Sequence, residues 1–426
     1  MVAGIMIGAS IFVQPSEITG KVPSVPGVFA VWLISGLLTF IGAMVCAELA
    51  SIFAQSGGVY VYLRESYSPA VGFLWGWAMF WSIHSGIIAA VSVIFARYAA
   101  YFLPMSEISV KGVAVAAILT LSAVNYCGVK PGSAVQTFFT IGKVFAIIFV
   151  VVLGFALGMS LPEHYVAGNI ANREITGSNF LLALIAGLFA FGGWHMVTYN
   201  SEETINPRRT IPRALMLGTL LVTVCYIAVN AVYMYVLPLG TVATSTRIAA
   251  DMADTLIGFG GGAFISILVM FSTLGTASGL ILCGPRVYYS MARDDLLFPW
   301  IKTVHPRFGT PSKAIVIQAF WSSVLVATGT YQTLFTRVVY TEWIFFALMT
   351  AGLFILRHRS GLIRGYCIWG YPILPALFVV SSLAIVANQI AANPGESLFG
   401  LSVVLLGLPV YYLRVRKTKR TSHANH

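Results

Sequence analysis

The chain has 426 residues, of which 58% are hydrophobic and 9% charged, with a formal net charge of +11. A water-soluble globular protein carries about a quarter of its residues as Asp, Glu, Lys and Arg, so this composition excludes one and calls for lipid as the solvent. The positive charge does not imply nucleic acid, because the basic residues are scattered between apolar runs rather than gathered on one polar face.

In lipid, each backbone polar group has to be satisfied within its own segment or in a closed barrel. The apolar runs are long and show no strand-like alternation, which predicts an all-α polytopic membrane protein. Met1 has no positive n-region behind it and the apolar character persists along the chain, so no cleavable signal peptide is expected. Runs bounded by charge, Pro or Gly fall at 1–18, 28–54, 70–102, 112–127, 134–157, 179–200, 212–236, 260–290, 312–330, 335–356, 370–391 and 396–414. Twelve transmembrane helices are therefore expected, in segments 1–157, 179–356 and 370–414, followed by a basic tail at 415–426.

The first run is interrupted by Gly4, Gly8, Ala9 and Ser10, and the sixth by Ala190, Gly192 and Gly193. Small residues at mid-span lower helix propensity and let the chain unwind. The two interruptions lie five helices apart, in matching positions of two five-helix halves of opposite orientation. Such a pair is the best sequence pointer to a transporter site built on inverted repeats, with broken helices 1 and 6. The amides that begin a half-helix can bind a carboxylate, and the carbonyls that end the preceding half can accept an ammonium group. Close helix packing through small residues is the plainer reading of one such glycine pair, but not of two matched breaks.

Between the breaks, Lys143 stands about halfway along the fifth run. An ammonium there costs a few kcal/mol, and the surface is too far for snorkelling. A structural tether and a functional charge are both open at this point. His195 follows the sixth-helix break and suits either a substrate contact or a plain hydrogen-bonded histidine. His84 reads as helix–helix glue. Asn230 suits a cavity wall or a bridge between helices, and Tyr199 could close the sixth run. Glu342 is placed near the outer end of the tenth run, with its carboxylate reaching water. Glu202, Glu203, Arg208 and Arg209 form a solvated charge run or, as a sharper reading, a gate-closing ion-pair network.

With Met1 inside, most Lys and Arg residues fall on inner loops and the tail, which places both termini in the cytoplasm. Cys46, Cys127, Cys225, Cys283 and Cys367 are odd in number and sit in or beside apolar runs, so they read as packed thiols rather than a disulfide framework.

At Gly8-Ala9-Ser10-Ile11-Phe12, which resembles a GSGIF signature, the chain looks like the amino acid–polyamine–organocation (APC) family, and most like its L-type amino-acid transporter branch. The likeness also rests on Ala47-Glu48-Leu49-Ala50, on Ser56-Gly57-Gly58-Val59-Tyr60-Val61-Tyr62-Leu63-Arg64-Glu65 and on Phe191-Gly192-Gly193-Trp194. Asn206-Pro207-Arg208-Arg209-Thr210-Ile211-Pro212-Arg213-Ala214 and His305-Pro306-Arg307-Phe308-Gly309-Thr310-Pro311 complete it, over nearly the whole chain.

The resemblance implies a LeuT-like 5+5 inverted repeat with an amino-acid site at the midplane, and helices 11 and 12 outside the repeat. It implies that the amides of Ala9, Ser10 and Ile11 take the substrate carboxylate, and the carbonyls of Met6, Phe189 and Gly192 its amine. Phe189 resembles the family's aromatic gate, Trp194 is expected to line the side-chain pocket, and His195 stands where the branch often has Asn. Ser10 replaces the second glycine of the signature, which narrows the pocket or re-aims an amide. Lys143 resembles a built-in replacement for the second sodium ion of related carriers. It would bridge the carbonyls near Met6 to Gly8 and hydroxyls among Ser272, Thr273 and Thr276. Family members also carry more of the first half-helix than Met1 to Ile7, so the natural start is expected upstream.

The function expected is sodium-independent secondary transport of amino acids across the plasma membrane, by exchange or proton symport. Apolar or small pocket candidates favour neutral L-amino acids, with a cationic amino acid or polyamine as the alternative. An enzyme would need a His-Glu-x-x-His, cysteine pairs at ligand spacing or a phosphate loop, and the sequence has none. A channel would need rings of carbonyls or charge along a continuous pore. No cofactor is implied. The loop Tyr101 to Lys111 lacks a cysteine, so no disulfide-linked heavy chain is expected, leaving the substrate and the lipid bilayer as partners.

Overall fold

A computed structural model describes residues 2–55, 57–127, 133–159 and 175–414, with the backbone alone at 9, 133–140, 200, 202, 203 and 259. Ser56, Lys130, Arg173 and the tail at 415–426 lie outside the described residues, as do the side chains of Ala9, Glu202 and Glu203.

The described elements are all helical. The first apolar run is α1 (Val2–Met6), a 3-10 turn at Ala9–Phe12 and α2 (Gln14–Lys21). Next come α3 (Val25–Ile52) and the short α4 (Val59–Ser66). Helix α5 (Pro69–Ala78) passes through a π turn at Met79–Ile83 into α6 (His84–Ala99). Ser85 Oγ donates to the Phe80 carbonyl at 2.7 Å within that widened turn. Then follow α7 (Glu107–Tyr126), α8 (Ser133–Leu157) and α9 (Gly177–Ala190), which gives way to a 3-10 stretch at Trp194–Glu203. The remainder is α10 (Pro207–Val236), α11 (Leu239–Thr244), α12 (Ile248–Ile257), α13 (Phe259–Arg293), α14 (Ser312–Thr328), α15 (Tyr331–Arg357), α16 (Ile373–Ala392) and α17 (Pro394–Leu405).

The helix starts follow from local chemistry. Ser24, Ser68, Ser106 and Thr176 each accept a hydrogen bond from the amide three residues on, satisfying a donor that the first turn leaves open. Thr330 and Thr333 cap α15 reciprocally. Pro residues at N1 or N2 of α3, α5, α10 and α17 occur where no intrahelical donor is lost.

Among the described residues, nine helices are long and apolar enough to cross a membrane. The apolar stretch Ile141–Leu157 of α8 and the 17-residue α14 are shorter. Together with the broken segment from Val2 to Lys21, they occupy the other three positions that the sequence marks. Helices α4, α11 and α12 fill connections that the long apolar runs do not reveal.

The outside of the bundle is apolar: Ile141, Phe145, Ile148 and Val152 recur at three- and four-residue steps along α8 and are exposed. In water this stripe would be a liability, whereas against lipid tails it is the expected surface. Inside, α3 packs along α10 through Trp32, whose ring lies 5.6 Å from Tyr226 and 6.1 Å from Phe191. No disulfide joins the described cysteines, but they are not uniformly packed: Cys46 is buried, while Cys127 at the end of α7 and Cys367 in the connection between α15 and α16 are exposed.

Candidate functional site

Both predicted breaks are present. Helix α1 closes with the Ile7 amide donating to the Ala3 carbonyl at 2.7 Å, after which Gly8 is extended (φ −108°, ψ −173°). Helix α9 ends as the Phe191 amide donates to Gly187 at 3.2 Å and the Gly192 amide to Phe189 at 3.0 Å. Gly193 then adopts φ +89°, a left-handed conformation open to glycine at little cost. A Cβ on Gly193 would fall 2.8 Å from Ile5 Cγ2, so the two interrupted segments touch here.

The breaks are tied by a residue that sequence reasoning passed over. The Tyr226 hydroxyl, from the middle of α10, is 2.8 Å from the Met6 carbonyl and 3.1 Å from the Ala190 carbonyl, and is placed to donate to either. These carbonyls end α1 and α9, where no intrahelical amide follows. One buried phenol therefore sets the spacing of both half-helices.

Between the breaks lies a small cavity of about 40 Å³. Met6, Gly8 and Ser10 line it from the first break, Phe189 and Gly192 from the second, Thr276 from α13 and Glu342 from α15. Of the residues expected here, Met6, Ser10, Phe189, Gly192 and Thr276 are brought together on this wall. Ile11 is buried away from it. Ala9 is described by its backbone, at the start of the 3-10 turn. Trp194, expected to line the side-chain pocket, instead packs 4.9 Å from Phe346, while Gly193 before it and Met196 after it line the cavity. The Phe189 ring lies 5.6 Å from Phe335, which continues to Tyr331 at 5.3 Å. Gln14 Nε2 donates to the Tyr331 hydroxyl at 3.0 Å, joining this aromatic layer to α2.

Lys143 is 4% exposed, and its Nζ donates to the Gly4 carbonyl at 3.1 Å and to Thr276 Oγ1 at 2.6 Å. The carbonyl it meets belongs to Gly4, inside α1 and two residues before the expected stretch from Met6 to Gly8. Thr276 Oγ1 donates its own hydrogen bond to the Ser272 carbonyl at 3.0 Å. The Thr273 hydroxyl is spent on the Val269 and Met270 carbonyls, at 2.9 and 2.7 Å, and does not contact Lys143. The Ser272 hydroxyl has no hydrogen-bond partner. The ammonium thus ties α1 to α13 one side chain behind the cavity wall.

Glu342 overturns its expected position. It is 3% exposed and lies eleven residues into α15, about 16 Å along the helix, rather than at a wet outer end. Its Oε1 is 3.6 Å from His195 Nε2, beyond hydrogen-bond distance, and both atoms lack other partners. His195 is fully buried behind the wall, edge-on to Trp75, Trp194, Tyr199 and Phe346 at 5.0 to 5.8 Å. His84 joins helices as expected: its Nε2 donates to the Leu280 carbonyl at 2.7 Å, linking α6 to α13. Asn230 donates to the Tyr226 carbonyl at 2.8 Å within α10 and is not on the wall.

The Arg-rich end of the bundle is closed by ion pairs. Glu48, fully buried, receives Arg357 Nε at 2.8 Å and Nη2 at 2.6 Å, and the Ile368 amide at 2.8 Å. This bidentate fork joins α3 to α15. Arg64 and the Tyr60 hydroxyl meet on Asp294 Oδ2 at 2.6 and 2.5 Å, joining α4 to the end of α13. Burial, then Asp294, push the Tyr60 phenol above its ordinary range, so it remains a donor. Arg208 and Arg209 are exposed. Glu48 and Arg64 carried a signal in the sequence as charges inside quoted motifs, but their partners lie more than 200 residues away.

A family model described as "Amino acid permease" matches residues 1–408. The serine/threonine exchanger SteT of Bacillus subtilis is 31% identical over 417 residues, covering 97% of this chain and 94% of that protein. The cystine/glutamate transporter of Homo sapiens is 27% identical, covering 97% of this chain and 83% of that protein. The large neutral amino acids transporter small subunit 2 of Oryctolagus cuniculus is 26% identical, covering 97% and 78%.

Proposed function

The chain belongs to the amino acid permease family, as a multi-pass membrane transporter of amino acids rather than an enzyme, and from that premise we propose that it exchanges neutral L-amino acids across the plasma membrane without sodium. The observation that carries this reading is the cavity between the two touching breaks. Met6 at the end of α1, Ser10 of the 3-10 turn, and Phe189 and Gly192 at the end of α9 line it, and broken helix ends are the kind of backbone that suits the ammonium and carboxylate of a zwitterion. In this reading the chain has twelve spans in two inverted five-helix halves, with both termini cytoplasmic and no disulfide-linked partner. Access alternates by rocking around the site, with Phe189 as the outer gate. The Lys143 ammonium takes the place of a sodium ion between α1 and α13.

Exchange is supported by the description of the Bacillus relative. The different substrates named for the relatives mean that side-chain preference has to come from this chain's own wall. That wall is apolar on the α6 side, through Ile87 and Val91, which supports a neutral substrate. One observation favours the second reading, a cationic amino acid or polyamine: Glu342 is on the same wall.

The test is a scan of the twenty amino acids for thermal stabilisation of the purified protein, followed by exchange in proteoliposomes with sodium or choline outside. Neutral amino acids are expected to stabilise and to exchange equally in both salts. Stabilisation by lysine or arginine alone would establish the cationic reading, and a requirement for sodium would remove Lys143 from its role.

A further inference from the structure

We infer that Glu342, backed by His195, is the side-chain subsite of the cavity and selects amino acids that carry a hydroxyl group. The inference rests on the proposal that neutral amino acids bind between the breaks, and it names which of them the wall prefers.

Among the described residues, Glu342 is the one charged side chain on the cavity wall. It is 3% exposed, with Oε1 unpartnered and 3.6 Å from an equally unpartnered His195 Nε2. Leaving a buried carboxyl oxygen unmatched is costly, and such groups in native structures call for a partner. The neighbouring titratable groups do not supply one. His84 Nε2 is committed to Leu280 at 2.7 Å, and Lys143 is committed to Gly4 and Thr276 at 3.1 and 2.6 Å. Tyr199 lies against the His195 ring, on its own 3-10 stretch.

The pair is neutral overall whether it holds its proton on the carboxyl or on the imidazole, and a net charge of either sign would be expensive at this depth. A neutral pair offers little to a lysine or arginine head group, whose charge would stay uncompensated. A hydroxyl both donates and accepts, so it satisfies Glu342 in either protonation form. A methyl in the same place leaves Oε1 as it is now. Serine should therefore bind better than alanine, and threonine better than 2-aminobutyrate, by about ten-fold, the worth of one hydrogen bond.

The test compares these two matched pairs by thermal stabilisation and by proteoliposome exchange, in the full chain and in Glu342→Met, which keeps volume and removes hydrogen bonding. The parent protein should show the ten-fold preference in both pairs, and Glu342→Met should bind serine and alanine within two-fold of each other. Equal binding of serine and alanine by the parent overturns the subsite but leaves neutral transport standing, whereas failure of every neutral amino acid removes the neutral-substrate reading on which the subsite rests. A serine preference that survives in Glu342→Met overturns the assignment. So does a folded Glu342→Met that binds neither, which would place Glu342 on the common amino-acid core. Binding is read in detergent, so a translocation defect in the variant does not obscure the result.

Discussion

Replacing Lys143 with Met separates a structural tether from a working part. The substitution removes two charge-assisted hydrogen bonds, to Gly4 O at 3.1 Å and Thr276 Oγ1 at 2.6 Å, worth together about 3–6 kcal/mol. It also removes a buried ammonium whose desolvation costs several kcal/mol, and Met keeps most of the volume. These contributions oppose each other, so thermal stability should change by no more than about 1–2 kcal/mol. The link between α1 and α13 has no such offset. Thr276 keeps its bond to Ser272, but the Gly4 carbonyl loses the donor that fixes the first half-helix against α13. If half of the gross interaction is used to hold the transporting arrangement, exchange should fall by about 10- to 100-fold, at 1.4 kcal/mol per ten-fold. The assay is exchange of labelled neutral amino acid in proteoliposomes, with the melting temperature of the same preparation as the folding control. Undiminished exchange by a folded Lys143→Met would refute the coupling role, and collapse of the fold would make the lysine a tether.

Tyr226→Phe should leave the Met6 and Ala190 carbonyls without their shared donor, cost about 1–3 kcal/mol and slow exchange; an unchanged melting temperature and rate would show that the breaks hold their spacing without it. Gly193→Ala combines φ +89° with a Cβ 2.8 Å from Ile5, and should destabilise by roughly 1–3 kcal/mol in a thermal melt. A neutral result there would mean that the breaks do not touch. Arg357→Ala strands the buried Glu48 carboxylate and should cost about 3–5 kcal/mol. Arg357→Ala combined with Glu48→Met should recover much of that loss, and failure to recover would place the damage elsewhere than in the unpaired charge.

The sequence by itself determined the class of protein and the places where its helices fail. Composition and run length require lipid, and Gly8, Gly192 and Gly193 mark interruptions, because helix propensity and backbone freedom are local properties, whereas Gly4, expected to interrupt the first run, lies inside α1. Capping by Ser24, Ser68 and Thr330 is equally local. The cost of an ammonium at mid-span singled out Lys143 before any partner was visible. Only the tertiary structure decided which groups share the cavity. Tyr226 reads as one more aromatic in an apolar run, yet α10 brings its hydroxyl to two helix ends that lie 36 and 220 residues away. Trp194 sits beside the break in sequence but packs on Phe346, while its neighbours Gly193 and Met196 line the wall. Glu342 looked wet by its distance from a run boundary, and became part of the wall when α15 began at Tyr331 and packed that turn against His195. Breaks follow from local backbone energetics, whereas a cavity is the meeting of faces from helices far apart in the chain, and its polar partners are chosen by how those helices pack.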